Sequence, residues 1–239
     1  FPGGDTTLLE ALYGTSPLIE FSNEHARRVV RAVAAAWPHD RLLRILEVGA
    51  GTGSLTRLLL PHLPNDRTEY HFTDVTEALL TRSEARFAAY RFITYALYDI
   101  EKPLAEQKLQ PGSFDLVIGA NVVHAAADIS RALTHLKEAL RPGGMLLLSE
   151  SHPTDVLTII FGGLKGWRAF TDRRSTPTSP LLTEADWLAA MTEAGFAETA
   201  AIVDASGDDP GALSIYLGQK AAHAAAAAEP QPRVPRRWV

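Results

Sequence analysis

The chain contains no cysteine, which excludes a disulfide framework, a thiol nucleophile and a cysteine-ligated zinc site. No apolar run approaches the roughly 20 residues needed to cross a bilayer as a helix, so a membrane partner is not expected. No long basic run is present and the formal charge is −5, which argues against a nucleic-acid backbone as partner. No signal-peptide pattern and no internal repeat are visible. What remains is ordinary: 239 residues, 46% hydrophobic and 21% charged, fit one globular domain with a sizeable core. Small molecules or another protein are the partners this leaves. The first residue is Phe1 rather than Met, as expected of a piece cut from something longer.

The stretch Ile45-Leu46-Glu47-Val48-Gly49-Ala50-Gly51-Thr52-Gly53-Ser54-Leu55-Thr56 starts as a buried strand, passes three glycines two apart and leaves as a helix. Glycine opens backbone conformations closed to other residues and leaves room for a ligand against the chain. Amides at the following helix start can face an anionic group. A dinucleotide fingerprint reads G-x-G-x-x-G; here the third glycine comes one residue early, and Glu47 stands two residues before the first. A carboxylate there disfavours a pyrophosphate but tolerates a ligand with a cationic amino-acid end. The pattern E-x-G-x-G-x-G resembles the first motif of class I S-adenosylmethionine-dependent methyltransferases.

Strands and helices alternate around that motif. Helices are expected at Thr7–Tyr13 and Ser22–Ala36, the second amphipathic through Ala26, Val29, Val30 and Val33 and stopped by Pro38. Strands follow at Leu42–Val48, Glu69–Thr73, Arg91–Leu97, Phe114–Gly119 and Met145–Glu150. Helices at Ser54–His62, Thr76–Ala89 and Ile129–Leu140 separate them, the last stopped at Arg141-Pro142-Gly143-Gly144. Thr183–Ala194 is a helix with a capping-box-like start, and Ala197–Asp204 and Leu213–Gln219 are closing strands across a turn-rich loop. The alternation predicts an α/β fold with a mostly parallel, seven-stranded sheet and helices on both faces, the Rossmann-like class I methyltransferase fold. Residues 1–40 read as an entry segment, 41–220 as the core with a substrate-side insertion at 151–182, and 221–239 as an alanine- and proline-rich linker.

Parallel α/β sheets bind ligands at the carboxyl ends of their strands. That rim receives Glu47 with Gly49, Gly51 and Gly53, then Asp74 where an acid grips ribose hydroxyls. It also receives Asp99 with Ile100, suited to an adenine amino group beside an apolar contact. Asn121 and His124 follow the fourth strand, and Glu150, Ser151 and His152 end the fifth. Tyr13 and Asn23 in the entry segment are candidates to reach the same ligand, or else a packing aromatic and a helix cap.

Several phrases narrow the resemblance to the methyltransferase domains embedded in modular polyketide synthases. They are Phe1-Pro2-Gly3-Gly4, Phe114-Asp115-Leu116-Val117-Ile118, Asn121-Val122-Val123-His124-Ala125, Leu140-Arg141-Pro142-Gly143-Gly144, Phe161-Gly162-Gly163-Leu164-Lys165-Gly166-Trp167, Ser179-Pro180-Leu181-Leu182 and Ala194-Gly195-Phe196. The resemblance implies His124 as general base oriented by Glu150, and neighbouring fourth and fifth strands would bring the two together. His152 is a weaker candidate base. Cofactor binding would fall to Glu47, Gly49, Gly51, Gly53, Asp74, Asp99, Ile100, Asn121, Tyr13 and Asn23. The cofactor implied is S-adenosyl-L-methionine, with S-adenosyl-L-homocysteine as product; its methyl is already activated, so no metal is required. Phe161, Trp167 and Phe170 would wall an acyl chain, and Arg168, Arg173 and Arg174 would face either a phosphate or solvent. The partner implied is an acyl carrier protein presenting a phosphopantetheine-tethered intermediate to a cytoplasmic megasynthase. Members of this group methylate either a β-oxygen or the α-carbon of a β-ketoacyl chain. Carbon-methylating members carry an extra lid before the glycine motif, and with about forty residues there the expectation is oxygen. A nicotinamide oxidoreductase and an inactive structural relic are the rivals; the glycine spacing opposes the first, and the intact motif with His124 and Glu150 opposes the second.

Overall fold

The computed structural model describes residues 17–153, 170–172, 174, 181–203 and 213–222. In chain order these form α1 (Pro17–Ala36), β1 (Leu43–Val48), α2 (Ser54–Leu59), β2 (Thr68–Asp74), α3 (Glu77–Arg86), β3 (Ile93–Leu97), β4 (Phe114–Ala120), α4 (Ile129–Ala139), β5 (Leu140–Ser151), α5 (Glu184–Glu193), β6 (Glu198–Ile202) and β7 (Leu213–Gln219). The strands make one seven-stranded sheet in the order β3-β2-β1-β4-β5-β7-β6. All neighbouring pairs are parallel except those of β7, which runs antiparallel to both β5 and β6. The expected class I methyltransferase fold is the observed one.

Side-chain alternation along the strands sorts the core into two layers. Leu46 and Val48 of β1, Val117 of β4 and Leu146 and Leu148 of β5 share one apolar cluster with α4 and α5. Leu43 and Ile45, Leu116 and Ile118, and Leu147 face the other way, toward Ala26 and Val30 of α1, Leu55 and Leu59 of α2 and Leu80 of α3. A period of two along each strand requires this division, and β4 is apolar on both faces because helices cover both. The α4 helix opens on Asp128, whose side chain accepts from the Arg131 amide at 3.0 Å, and α5 on Thr183, whose hydroxyl accepts from the Asp186 amide. No helix among the described residues is long and apolar enough to cross a membrane.

Several boundaries differ from the sequence reading. The α1 helix begins at Pro17, five residues before Ser22, which lies inside it with its hydroxyl donating to the Ile19 carbonyl at 3.1 Å. β5 begins at Leu140 rather than Met145: Phe114 pairs with Leu140, and the register then shifts before Leu116 meets Met145. The Arg-Pro-Gly-Gly segment is thus an irregular strand start and not a free turn. α3 stops at Arg86, β3 starts at Ile93 and β6 covers only Glu198–Ile202. The expected helix at 7–13, the 206–211 loop and the 223–239 tail lie outside the described residues.

At the sheet edge opposite the carboxyl-end rim, Asp115 ties three elements together. Its buried carboxylate accepts from the Arg44 amide of β1 at 2.8 Å and pairs with Arg141 at the start of β5, with Arg41 at 3.8 Å. Both arginines flank the Trp37 ring, 5.2 and 5.3 Å from its centre. Asp115→Ala leaves an amide without its acceptor and Arg141 without its counter-ion. Breaking a buried pair costs about 3–5 kcal/mol, and partial exposure of Arg141 reduces the figure. We expect a loss of about 2–3 kcal/mol in denaturant unfolding with ligand affinity at the distant rim retained; a stability change below about 1 kcal/mol would contradict this account.

Candidate active site

Gly49, Gly51 and Gly53 follow β1 with φ of 56°, 57° and 74°. At Gly49 an added Cβ would lie 2.3 Å from Cγ2 of Val122, so the loop rests directly on the chain leaving β4. At Gly51 it would meet nothing nearer than the Gly49 carbonyl at 3.8 Å. The loop is therefore packed beneath Gly49 and open above Gly51. A third glycine serves packing: a Cβ at Gly53 would strike Phe87 at 2.5 Å. Asp74 holds the loop in shape, accepting from the Gly51 amide at 3.0 Å through one oxygen and from the Thr76 amide at 2.9 Å through the other.

A cleft opens over this loop. Glu47, Gly49, Gly51, Thr52, Asn121 and Ser149 line it from the sheet side, and Ile19, Ser22 and Asn23 of α1 close it from above. Of the residues expected to hold the cofactor, Glu47, Gly49, Gly51, Asn121 and Asn23 are brought together here. Glu47 is almost fully buried, and the Thr56 and Tyr70 hydroxyls both donate to its Oε2 at 2.6 Å. Burial pushes its pKa up to about 7, and the two hydroxyls act in the opposite direction. Asp99 lies elsewhere, in a second hollow with Val75, Tyr98, Lys102 and Gln107. Its Oδ1 accepts from the Glu101 amide at 3.0 Å, and Lys102 stands 3.2 Å from Oδ2. Ile100 is not at the rim: it is buried in the core, its carbonyl accepting from His135 Nδ1 at 2.8 Å. Tyr13 lies outside the described residues.

Beyond β4 the chain turns sharply at Asn121, whose φ of 51° is the left-handed conformation that asparagine tolerates. Its amide donates to the Ser149 carbonyl at 2.7 Å, and its Oδ1 accepts from the Ser151 hydroxyl at 2.6 Å. A single 3-10 turn, Val123–Ala125, then presents His124. Glu150 arrives from β5 fully buried. Its Oε1 accepts from the amides of Val122 and Val123 at 3.2 and 2.8 Å, and its Oε2 lies 2.6 Å from His124 Nδ1. A carboxylate can only accept, so Nδ1 carries the proton and Nε2 is left as the acceptor. With a side chain 17% exposed, His124 is sheltered yet reachable. His152 takes no part: it is buried against Ser214, 2.7 Å from its hydroxyl, and burial lowers its pKa. Phe170 stacks on the Arg174 guanidinium at 4.0 Å, while Phe161, Trp167, Arg168 and Arg173 lie outside the described residues.

Residues 46–146 match a methyltransferase domain family. Polyketide synthase ThaG of Burkholderia thailandensis is 37% identical over 206 residues, which are 84% of this chain and 4% of that protein. The CurJ carbon methyltransferase superposes with a TM-score of 0.86 at 34% identity, over 93% of this chain and 60% of that one. The chain belongs to the class I S-adenosylmethionine-dependent methyltransferases of polyketide synthases. The trans-methyltransferase CalH, solved in complex with SAH, superposes with a TM-score of 0.77 at 29% identity, over 90% of this chain and 59% of that one. The chain thus spans a small fraction of ThaG and about three fifths of the structural relatives.

The methyltransferase fits its cofactor by features of its own. Room above Gly51 admits a ligand against the backbone, and among the described residues no cation pairs with the Glu47 carboxylate, which an ammonium group would do. Sequence reading passed over Val75, 66% exposed beside Asp74 and sharing the hollow of Asp99; an apolar residue directly after a rim acid was the available signal. It also missed Thr56 and Tyr70, because only the fold brings them to Glu47.

Glu47 generates a pH prediction. Its raised pKa means that its contribution to apo-protein stability is full below about 4.5 and is lost as pH rises through about 7. A cation bound beside it has the opposite preference. S-adenosylmethionine should therefore bind more tightly as pH rises from about 5.5 to 7, releasing protons from the methyltransferase, and Glu47→Gln should both weaken binding and flatten that slope. Calorimetry in buffers of different ionisation enthalpy reads the proton release directly; an equal slope in wild type and variant would refute the assignment.

Proposed function

We propose that this methyltransferase transfers a methyl group to the α-carbon of a β-ketoacyl thioester presented by an acyl carrier protein. The observation that carries the chemistry is the His124–Glu150 pair, on the turn that follows Asn121, which lines the glycine-loop cleft. The preference for carbon comes from the CurJ carbon methyltransferase and its likeness over nearly the whole chain. The expectation of oxygen rested on the short segment before the glycine motif. It is withdrawn, because a chain matching 60% of that relative says nothing through its length about a lid.

In this reading Glu47, Gly49, Gly51, Asn121 and Asn23 hold the amino-acid end of S-adenosylmethionine, and Asp74, Val75 and Asp99 its nucleoside. When bound, the cofactor supplies an electrophilic methyl on a sulfonium and leaves as S-adenosylhomocysteine. The protein's part is proton removal and placement. His124 Nε2 takes the α-proton of the acceptor, whose electron pair, delocalised over the neighbouring carbonyls, forms the new carbon–carbon bond. Glu150 holds the imidazole through Nδ1–H, fixes its tautomer and stabilises the imidazolium once the proton has arrived. A positioned base of this kind contributes about 10²–10⁴-fold, and orientation within the cleft supplies much of the rest.

The test is mass spectrometry of carrier-bound β-ketoacyl and β-hydroxyacyl substrates with cofactor. The β-ketoacyl substrate should gain one methyl and lose one α-deuterium when deuterated there, whereas the β-hydroxyacyl substrate should be left unchanged. His124→Ala should lose about 10²-fold or more in turnover with cofactor affinity intact, as for a group acting in the transition state. Methylation of the hydroxyl instead of the carbon would restore the oxygen reading, and wild-type turnover by His124→Ala would remove the base.

A further inference from the structure

The turn that carries His124 is three residues of 3-10 helix, a conformation with poor intrinsic hydrogen-bond geometry. Glu150 holds it from the β5 side through two amides and the imidazole. Its carbonyls, and those just after it, are held by Thr171 and Arg174. Arg174 Nη1 donates to the His124 carbonyl and Nη2 to the Ala126 carbonyl, both at 2.6 Å. The Thr171 amide donates to the Ala127 carbonyl at 2.9 Å. Asp172 Oδ2 accepts from the Ile129 amide at 2.9 Å, at the start of α4.

Arg174 has the burial of a built element. Its side chain is 2% exposed, both Asp172 oxygens accept from its Nε at 2.9 and 3.0 Å, and Phe170 covers the guanidinium face. The expectation that it meets a phosphate or solvent is therefore corrected: its donors are directed at backbone carbonyls. A planar fork with fixed donors suits two carbonyls two residues apart, whereas an ammonium cannot reproduce both contacts. Because Asp172 neutralises the guanidinium, the effect on the imidazole is one of placement and not of net charge.

We propose that Arg174 is a positioning residue for the base, fixing the His124 backbone so that Nε2 meets the α-proton. This rests on His124 being the base. A small misplacement of a reacting group can cost about 10²-fold, so Arg174→Met should lower kcat by roughly that factor, while KM for the acyl carrier substrate and affinity for S-adenosylmethionine change less than about twofold. Arg174→Lys keeps the charge opposite Asp172 but one contact fewer, and should lose about threefold to tenfold in kcat.

A double-mutant cycle decides between placement and general structural support. In a His124→Ala background, Arg174→Met should cost almost nothing further, because there is no longer an imidazole to place. An equal loss in both backgrounds, a loss seen in cofactor affinity instead of kcat, or wild-type kcat in Arg174→Lys would each overturn the proposal. If Arg174→Met does not fold, the same cycle is run with Arg174→Lys, whose retained charge protects Asp172. Wild-type turnover by His124→Ala alone would instead defeat the assignment of the base, an outcome that the cycle reads separately.

Discussion

A carboxylate without access to water must find its partners inside the protein, and Glu150 finds all of them on one short turn. Two amides occupy one oxygen and an imidazole the other. Burying that charge unpaired would be strongly destabilising, so β5 and the chain leaving β4 are bound to a single relative arrangement. Asn121 is held in its left-handed backbone there by two residues on the same strand as Glu150: the Ser149 carbonyl accepts from its amide and the Ser151 hydroxyl donates to its side-chain oxygen. The glycine loop then leans on Val122, one residue further on. Cofactor loop and histidine turn are thereby two sides of one packed unit, and the histidine stays in place before any substrate arrives.

Glu47 shows the same physics with the opposite outcome. It is buried almost as deeply, but among the described residues only the Thr56 and Tyr70 hydroxyls bond to its side chain, and its pKa moves up to about 7. One buried acid has two amides and an imidazole within the fold; the other has two hydroxyls, which offset only part of the effect of burial. The contrast separates a carboxylate satisfied by the fold from one that, in the proposed reading, gains a cation when S-adenosylmethionine binds.

The sheet was legible because its signals are local and repetitive. Apolar runs bounded by acids and glycines placed β1, β4 and β7 to within a residue, and strand adjacency followed from the expected topology, which put His124 beside Glu150. Boundaries failed at element ends. Ser22 reads as the start of a helix but lies inside α1, and Arg141-Pro142-Gly143-Gly144 reads as the stop after a helix but belongs to β5, which pairs with β4 across a register shift. Ile100 was assigned to the ligand on the strength of its neighbour Asp99, whereas the core claimed its side chain. Arg174 was unreadable for a different reason: its partners lie 48 and 50 residues away in sequence, and nothing in a surface-like Asp-Arg-Arg run announces burial.

The order of strands in the sheet carries a consequence for how the molecule comes into being. β5, which bears Glu150, is flanked by β4 and by β7, and Glu150 itself lies opposite Ser214. Yet β7 is the last strand among the described residues and must enter between β5 and β6, both synthesised before it. On a ribosome, where chains emerge amino end first, the strand that orients the histidine keeps an open edge until residues 213–219 have left the exit tunnel. An open, apolar edge invites pairing with other chains, so the interval between translation of β5 and arrival of β7 is the period in which a nascent chain of this kind most needs protection from its neighbours.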